Sequence, residues 1–288
     1  RPSMFTIIGS VIVIACVIGG FLLEHGNLAV LFQPVELLII GGAAVGGFII
    51  ASPMKVIKAV MGGIVKMLSG KGYTKADYLE SLTMLGEVFY KIRKEGLVSV
   101  EGDVDNPKES VIFTKYPTFF KNHHALDLVV DTLRTVMTTK IEPNELEALI
   151  DAELESHQEE LTAPSKSVAT VADSLPGLGI VAAVLGIVLT MGKISEPPDV
   201  LGKSIGAALV GTFLGVLLCY GFVGPMAKNM EHSASEELQY LSVLKMAIVA
   251  FVGGAAPQVA VEFGRRVVPA VDKPTFAEVE EALRRIKK

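Results

Sequence analysis

Four stretches of this chain, Phe5–Leu23, Pro34–Ala51, Leu175–Gly192 and Ile205–Val223, are almost continuously apolar, and each is long enough to cross a bilayer as a helix. Spanning a hydrocarbon core of about 30 Å takes about 20 apolar residues at about 1.5 Å rise each. The first two stretches are joined by residues around Glu24–Gln33, and the last two by residues around Lys193–Ser204, a loop that holds Pro197-Pro198. No convincing strand alternation occurs elsewhere. The expected architecture is all-α: a four-span integral membrane protein of two transmembrane hairpins, with a helical cytoplasmic domain.

Composition agrees with a chain divided between lipid and water. Half of the residues are apolar and the mean hydropathy is +0.50, yet 20% are charged. The formal charge of −5, from 26 basic and 31 acidic residues, offers no nucleic-acid surface. Both cysteines, Cys16 and Cys219, lie inside apolar runs, which leaves no disulfide framework and no cysteine metal site. Arg1-Pro2-Ser3 precedes Met4 and is expected to be foreign to the natural start, so it is left out of the charge argument.

The expected organisation is a first transmembrane hairpin over 4–52, a cytoplasmic helical domain over 53–172, a second hairpin over 173–226 and a cytoplasmic tail over 227–288. Lys55, Lys58, Lys66, Lys71 and Lys75 follow the second span, whereas the 24–33 turn has no Lys or Arg. The positive-inside bias therefore puts the insert, the tail and the N-terminus in the cytoplasm, although Lys193 and Lys203 pull slightly the other way. Within the insert, Tyr78, Leu79, Leu82, Leu85, Phe89 and Ile92 recur at helical spacing, as do Leu126, Val129, Val130, Leu133 and Met137. Asn144 with Glu147 is read as the cap of a further helix, and Thr275 with Glu278 as the capping box of a terminal helix through Ile286.

Motifs for covalent chemistry are missing. Gly202-Lys203-Ser204 lacks the glycine that a phosphate loop needs five residues earlier, where Pro197 stands. Adjacent His123 and His124 diverge by about 100° on a helix, and Glu153 with His157 lies on an acidic face without di-iron spacing. Val13-Ile14-Ala15-Cys16 looks like a lipoprotein cleavage box, but the apolar run continues past the cysteine. Gly42–Gly46 and Gly211–Gly215 are GxxxG pairs, which suit close packing within the chain or between copies. Pro176 and Pro225 fit either ordinary helix ends, with Asp173 or Ser174 as N-cap before Pro176, or hinges inside membrane helices.

An absence carries the functional argument. A carboxylate at mid-membrane normally marks an ion pathway. Here Glu24 and Glu36 lie at the outer ends of the first hairpin and Asp173 at the inner end of the second, which leaves Thr212, Thr190, Ser10 and Tyr220 as the polar groups within spans. A hydroxyl can line a proton or sodium path but does not titrate near neutral pH. If ions move through this protein, another chain supplies the acid.

The segment Ala208-Leu209-x-Gly211-Thr212-Phe213-x-Gly215-x-Leu217, followed by Pro225, resembles the signature of the MotA/TolQ/ExbB proton channel family, and within it the flagellar stator subunits. Gln33-Pro34-x-Glu36-Leu37, Tyr73-Thr74-Lys75, Asp173-Ser174-Leu175-Pro176 and Val261-Glu262-Phe263-Gly264-Arg265 extend the resemblance over nearly the whole chain. It implies that five copies surround a MotB dimer whose transmembrane aspartate binds the ion. Thr212 would face that aspartate, with Pro176, Pro225 and Tyr220 near it. Arg93 and Glu101, with Glu153, would face the rotor protein FliG. Sodium-driven relatives place a threonine where this chain has Ala183, so protons are the expected ion.

The resemblance thus implies a non-enzymatic channel subunit in the bacterial inner membrane, surrounded by lipid and without cofactor or metal, that turns proton flow into torque. The rival readings are an ExbB or TolQ type energiser of outer-membrane processes, whose members usually have three spans, and a passive membrane scaffold.

Overall fold

The computed structural model describes residues 2–69 and 72–286, and every regular element among them is helical. Arg1 and Lys71, together with the side chains of Pro2 and Ser3, fall outside the described residues. The chain begins with α1 (Pro2–Leu23), α2 (Leu28–Leu31), α3 (Pro34–Ala51) and α4 (Met54–Ser69). Five helices follow: α5 (Lys75–Glu95), α6 (Glu101–Asp105), α7 (Val111–Thr114), α8 (Pro117–Lys121) and α9 (His123–Thr138). The remainder is α10 (Pro143–Met191), α11 (Pro198–Leu218), a π-helical turn over Cys219–Val223, α12 (Gly224–Val252), α13 (Pro257–Val267) and α14 (Phe276–Ile286). Four helical stretches are long and apolar enough to cross a membrane: Met4–Leu23, Leu28–Ala51, and parts of Pro143–Met191 and Pro198–Val252.

The chain divides into two compact units. One comprises Arg1–Lys71 with Glu160–Ser233 and contains the apolar helices. Its core is thin, centred on Ile40, Ala44, Ala172, Leu175, Ala182 and Cys219. Large apolar side chains stand open on its surface, Phe5 at 66%, Ile50 at 90% and Leu189 at 72% exposure. Surfaces of that kind are covered by lipid or by other protein chains.

The other unit comprises Gly72–Glu159 with Ala234–Lys288 and has an ordinary core. Phe89 of α5 stacks on Phe251 of α12 at 4.2 Å, and Tyr73 stacks on Tyr240 at 4.1 Å. The Tyr240 hydroxyl is hydrogen-bonded to Ser81. Burial holds the Tyr240 phenol well above its ordinary range, against the Ser81 hydrogen bond, which pulls the other way. Amphipathic helices α13 and α14 lie on α5, burying side chains such as Val261 and Leu283 that stabilise by about 1.5–3 kcal/mol apiece. Thr275 and Glu278 form the expected capping box, with Thr275 N donating to Glu278 Oε2 at 2.6 Å and Glu278 N to Thr275 Oγ1 at 3.3 Å.

Two local expectations are corrected. The stretch read as a helix capped at Asn144 and a separate span from Leu175 is a single helix, α10, with Pro164 and Pro176 inside it. Its start is set by Pro143 and by Glu142 N donating to Glu145 Oε2 at 3.2 Å, so Asn144 caps nothing. Asp173 and Ser174 are interior residues, and Ser174 Oγ instead donates to the Val171 carbonyl at 2.7 Å. Pro176 has no N–H for the Ala172 carbonyl, yet the flanking hydrogen bonds and the membrane-type composition carry the helix through it.

Candidate functional site

Three of the expected ion-path residues sit on a seam between α10 and α11 that only very small side chains allow. A methyl carbon placed on Gly215 would fall 2.5 Å from the Leu175 carbonyl oxygen and 2.9 Å from Gly179 Cα. One on Gly179 would fall 2.7 Å from the Gly211 oxygen and 3.3 Å from Thr212 Cα. One on Gly186 would meet Ala208 Cβ at 2.7 Å. The Gly211–Gly215 pair is therefore occupied by packing within the chain. By contrast, methyl groups at Gly42 and Gly46 would meet nothing within 4 Å.

This seam brings three of the expected residues together. Ala183 is buried at 6% exposure, its backbone N 3.1 Å from where a Gly211 methyl would stand. Thr212 follows Gly211 and is half-buried against Gly179. Pro176 lies three residues before Gly179, next to the Leu175 carbonyl that touches Gly215.

Tyr220 and Pro225 are placed differently. Eight residues separate Thr212 from Tyr220, about 12 Å along a helix. Around Tyr220 the helix widens into the Cys219–Val223 π turn, with Gly224 N donating to the Cys219 carbonyl. A methyl on Gly224 would stand 2.8 Å from that oxygen. Pro225, which follows, has no N–H to return to this turn. Tyr220 is 74% exposed, and with Pro225, Ser10 and Asn229 it lines an open apolar groove of about 750 Å³ against α1. Turns of this type inside α-helices occur frequently at functional sites. No feature of the sequence announced it.

Glu36 lies in the first turn of α3, at the end of the hairpin where the sequence put it, yet it is only 9% exposed and points at the seam. Its Oε2 lies 2.8 Å from where a Gly211 methyl would be. The spans thus contain a buried carboxyl group besides their hydroxyls. Thr190, a hydroxyl noted from the sequence, donates to the Gly186 carbonyl at 2.8 Å.

In the second unit, Arg93 lies in the last turn of α5 and Glu101 opens α6, both exposed and neither in an ion pair among the described residues. The loop that presents them is fastened from behind. Lys91 Nζ donates to Asp103 Oδ2 at 2.7 Å, Ser110 Oγ to Asp103 Oδ1 at 2.6 Å, and Arg134 to the Val104 carbonyl at 3.1 Å. Glu153, on α10, is exposed but stands near Asp131 and Asp127 of α9. Partial desolvation, then Asp131 and Asp127, push its carboxyl above the usual range. His124, which diverges from His123 on α9, is in ring contact with His157 at 4.1 Å.

Comparison with known proteins places these features in a family. The motility protein A N-terminal model matches residues 7–96, and the MotA/TolQ/ExbB proton channel family model matches residues 120–243. The chain is 40% identical to motility protein A of Salmonella typhimurium over 284 residues, covering 99% of this chain and 96% of that one. It superposes on the solved C. jejuni MotAB structure with a TM-score of 0.76 at 19% identity, covering 93% of this chain and 97% of that chain. The flagellar MotAB stator complex from Bacillus subtilis gives 0.71 at 22% identity, covering 93% and 96%. At such identities the likeness to the two solved chains speaks for the fold.

Proposed function

The chain belongs to the motility protein A family, and we propose that it is the channel-forming subunit of a flagellar stator, coupling proton flow across the bacterial inner membrane to torque on the rotor. The observation that carries this reading is 40% identity to motility protein A through 99% of the chain. The α10–α11 seam and the π turn fall inside the region matched by the proton channel family. In this reading five copies surround a MotB dimer, which supplies the ion-binding aspartate. The exposed apolar faces of the membrane unit meet lipid on one side and neighbouring chains on the other. The insert and both termini lie in the cytoplasm.

Each residue then has a limited task. Thr212 offers a hydroxyl that can donate to or accept from the partner's carboxyl without titrating. Pro176 and Pro225 leave backbone carbonyls without N–H partners beside the path, and such helices bend at low cost. Tyr220 extends the polar lining about two turns from Thr212. A unit charge crossing 100 mV releases about 2.3 kcal/mol, enough to shift a packed seam between two arrangements. The exposed Arg93, Glu101 and Glu153 transmit the movement to FliG.

Deleting the gene and supplying it again tests the function. Intact filaments that do not rotate, with rotation restored on resupply, are expected; normal swimming of the deletion strain refutes the reading. Ion type follows from Ala183, whose methyl group offers no oxygen to a dehydrated sodium ion. Swimming speed is expected to stay constant when external sodium is replaced by potassium and to fall when the proton gradient is collapsed. Sodium-dependent speed contradicts it.

Charge reversal tests the rotor face. Because Arg93 and Glu101 have no ion pair among the described residues to lose, Arg93→Glu or Glu101→Lys is expected to leave membrane levels unchanged. Torque under load should fall about tenfold as like charges meet across the interface. A compensating reversal in FliG should restore part of it. Reduced chain levels in place of reduced torque would remove both residues from the interface.

A further inference from the structure

Glu36 has no task in the function just described, although its carboxyl group is among the most enclosed polar groups of the membrane unit. It occupies the first turn of α3, where Pro34 begins the helix. The side chain is 9% exposed, and Oε2 is buried without a hydrogen-bond donor among the described residues. Space for it comes from glycines on two other helices: a methyl carbon on Gly211 would fall 2.8 Å from Oε2, and one on Gly186 would fall 3.6 Å from Oε1. Gly211 immediately precedes Thr212, so the carboxyl group reaches the level of the seam hydroxyl from α3.

Among the described residues no basic group pairs with it. Glu36 is the only charged residue of α3; α10 has no charged residue after Asp173, and α11 has none after Lys203. Thr190 spends its hydroxyl on the Gly186 carbonyl. Glu24 and His25 belong to the turn before α2, on the outer side. An ionised carboxylate without donors is strongly disfavoured in such surroundings, whereas a protonated one is tolerated. If Glu36 served packing alone, an apolar side chain would fill the same gap with no buried polar atom to satisfy.

We propose that Glu36 is a proton-carrying group on the outer side of the ion path. Its carboxylate oxygen takes a proton from a hydronium ion arriving from outside, leaving water, and releases it to a water molecule at the level of Thr212, which becomes hydronium as the carboxylate is regenerated. The proposal rests on the proton-channel function above and adds a second acid, contributed by this chain, to the one that the partner supplies.

Rotation of cells carrying the full-length chain with its partner, recorded against external pH, tests it with Glu36→Gln and Glu36→Asp. Glutamine keeps the size and removes the proton site, so assembled Glu36→Gln complexes are expected to rotate about tenfold slower or worse and to lose one ionisation from the pH profile. Aspartate should retain rotation with a displaced profile. Glu36→Gln cells with wild-type speed, or with reduced speed and an unchanged profile shape, overturn the proposal. If Glu36→Gln fails to assemble, labelling of the wild-type complex with dicyclohexylcarbodiimide, read by mass spectrometry, decides: modification of Glu36 that declines as pH rises supports it, and a Glu36 left unmodified at every pH overturns it. A wild-type chain that gives no proton-driven rotation overturns the function itself as well.

Discussion

Alanine at Gly215 is expected to abolish rotation and to lower the amount of assembled stator, whereas alanine at Gly42 is expected to leave the fold of the chain intact. The difference lies in what the added methyl meets. At Gly215 it falls 2.5 Å from the Leu175 carbonyl oxygen and 2.9 Å from Gly179 Cα, so backbone opposes it on two sides and no side chain can swing away. Overpacking of this kind costs about 1–3 kcal/mol in soluble cores, and more where nothing yields. In a bundle whose core is this thin, α10 and α11 would have to separate along the seam that holds Ala183 and Thr212. At Gly42 the methyl meets nothing within 4 Å. Membrane levels, recovery of the complex and swimming speed check both variants. A Gly215→Ala strain that swims normally would mean that the seam is looser than its geometry implies.

Pro176→Ala is expected to stop rotation while leaving the complex assembled in normal amount. A proline inside a helix is about 3 kcal/mol less favourable than alanine, so the substitution returns an N–H to the Ala172 carbonyl and strengthens α10. A folding defect cannot then explain lost function. What is lost is the gap in the hydrogen-bond ladder at which, in the proposed function, the helix bends, at the level where the Leu175 carbonyl touches Gly215. Recovery of the complex through its partner, together with the rotation of tethered cells, separates the two effects. Normal rotation would assign Pro176 to packing alone, and poor assembly would show that the bend is needed to build the ring.

The four spans were legible because length and apolarity settle the matter in a bilayer, whatever the details of packing. The capping box at Thr275 and Glu278 was legible for an equally local reason. Three features were not. The continuity of α10 was hidden because Asp173-Ser174-Leu175-Pro176 reads just as well as a helix start, and only the surrounding helix decides otherwise. The π turn at Cys219–Val223 changes the backbone count by a single residue and leaves no mark in side-chain periodicity. Burial of Glu36 depends on gaps at Gly186 and Gly211, more than 140 residues away in sequence, while its own neighbours Pro34 and Leu37 suggest an ordinary helix end. Position along one helix put Glu36 at the end of the hairpin, where the first turn of α3 holds it; its burial came from two other helices.

The central claim is that this chain forms the wall of a proton path whose essential acid belongs to another chain. Tethered cells in sodium-free buffer, energised by an imposed proton gradient, test it when the wild-type chain is paired with a partner whose membrane aspartate has been replaced by asparagine. Rotation is predicted with the natural partner and none with the asparagine variant, at equal amounts of assembled complex. Rotation that persists without the partner's acid would contradict the account.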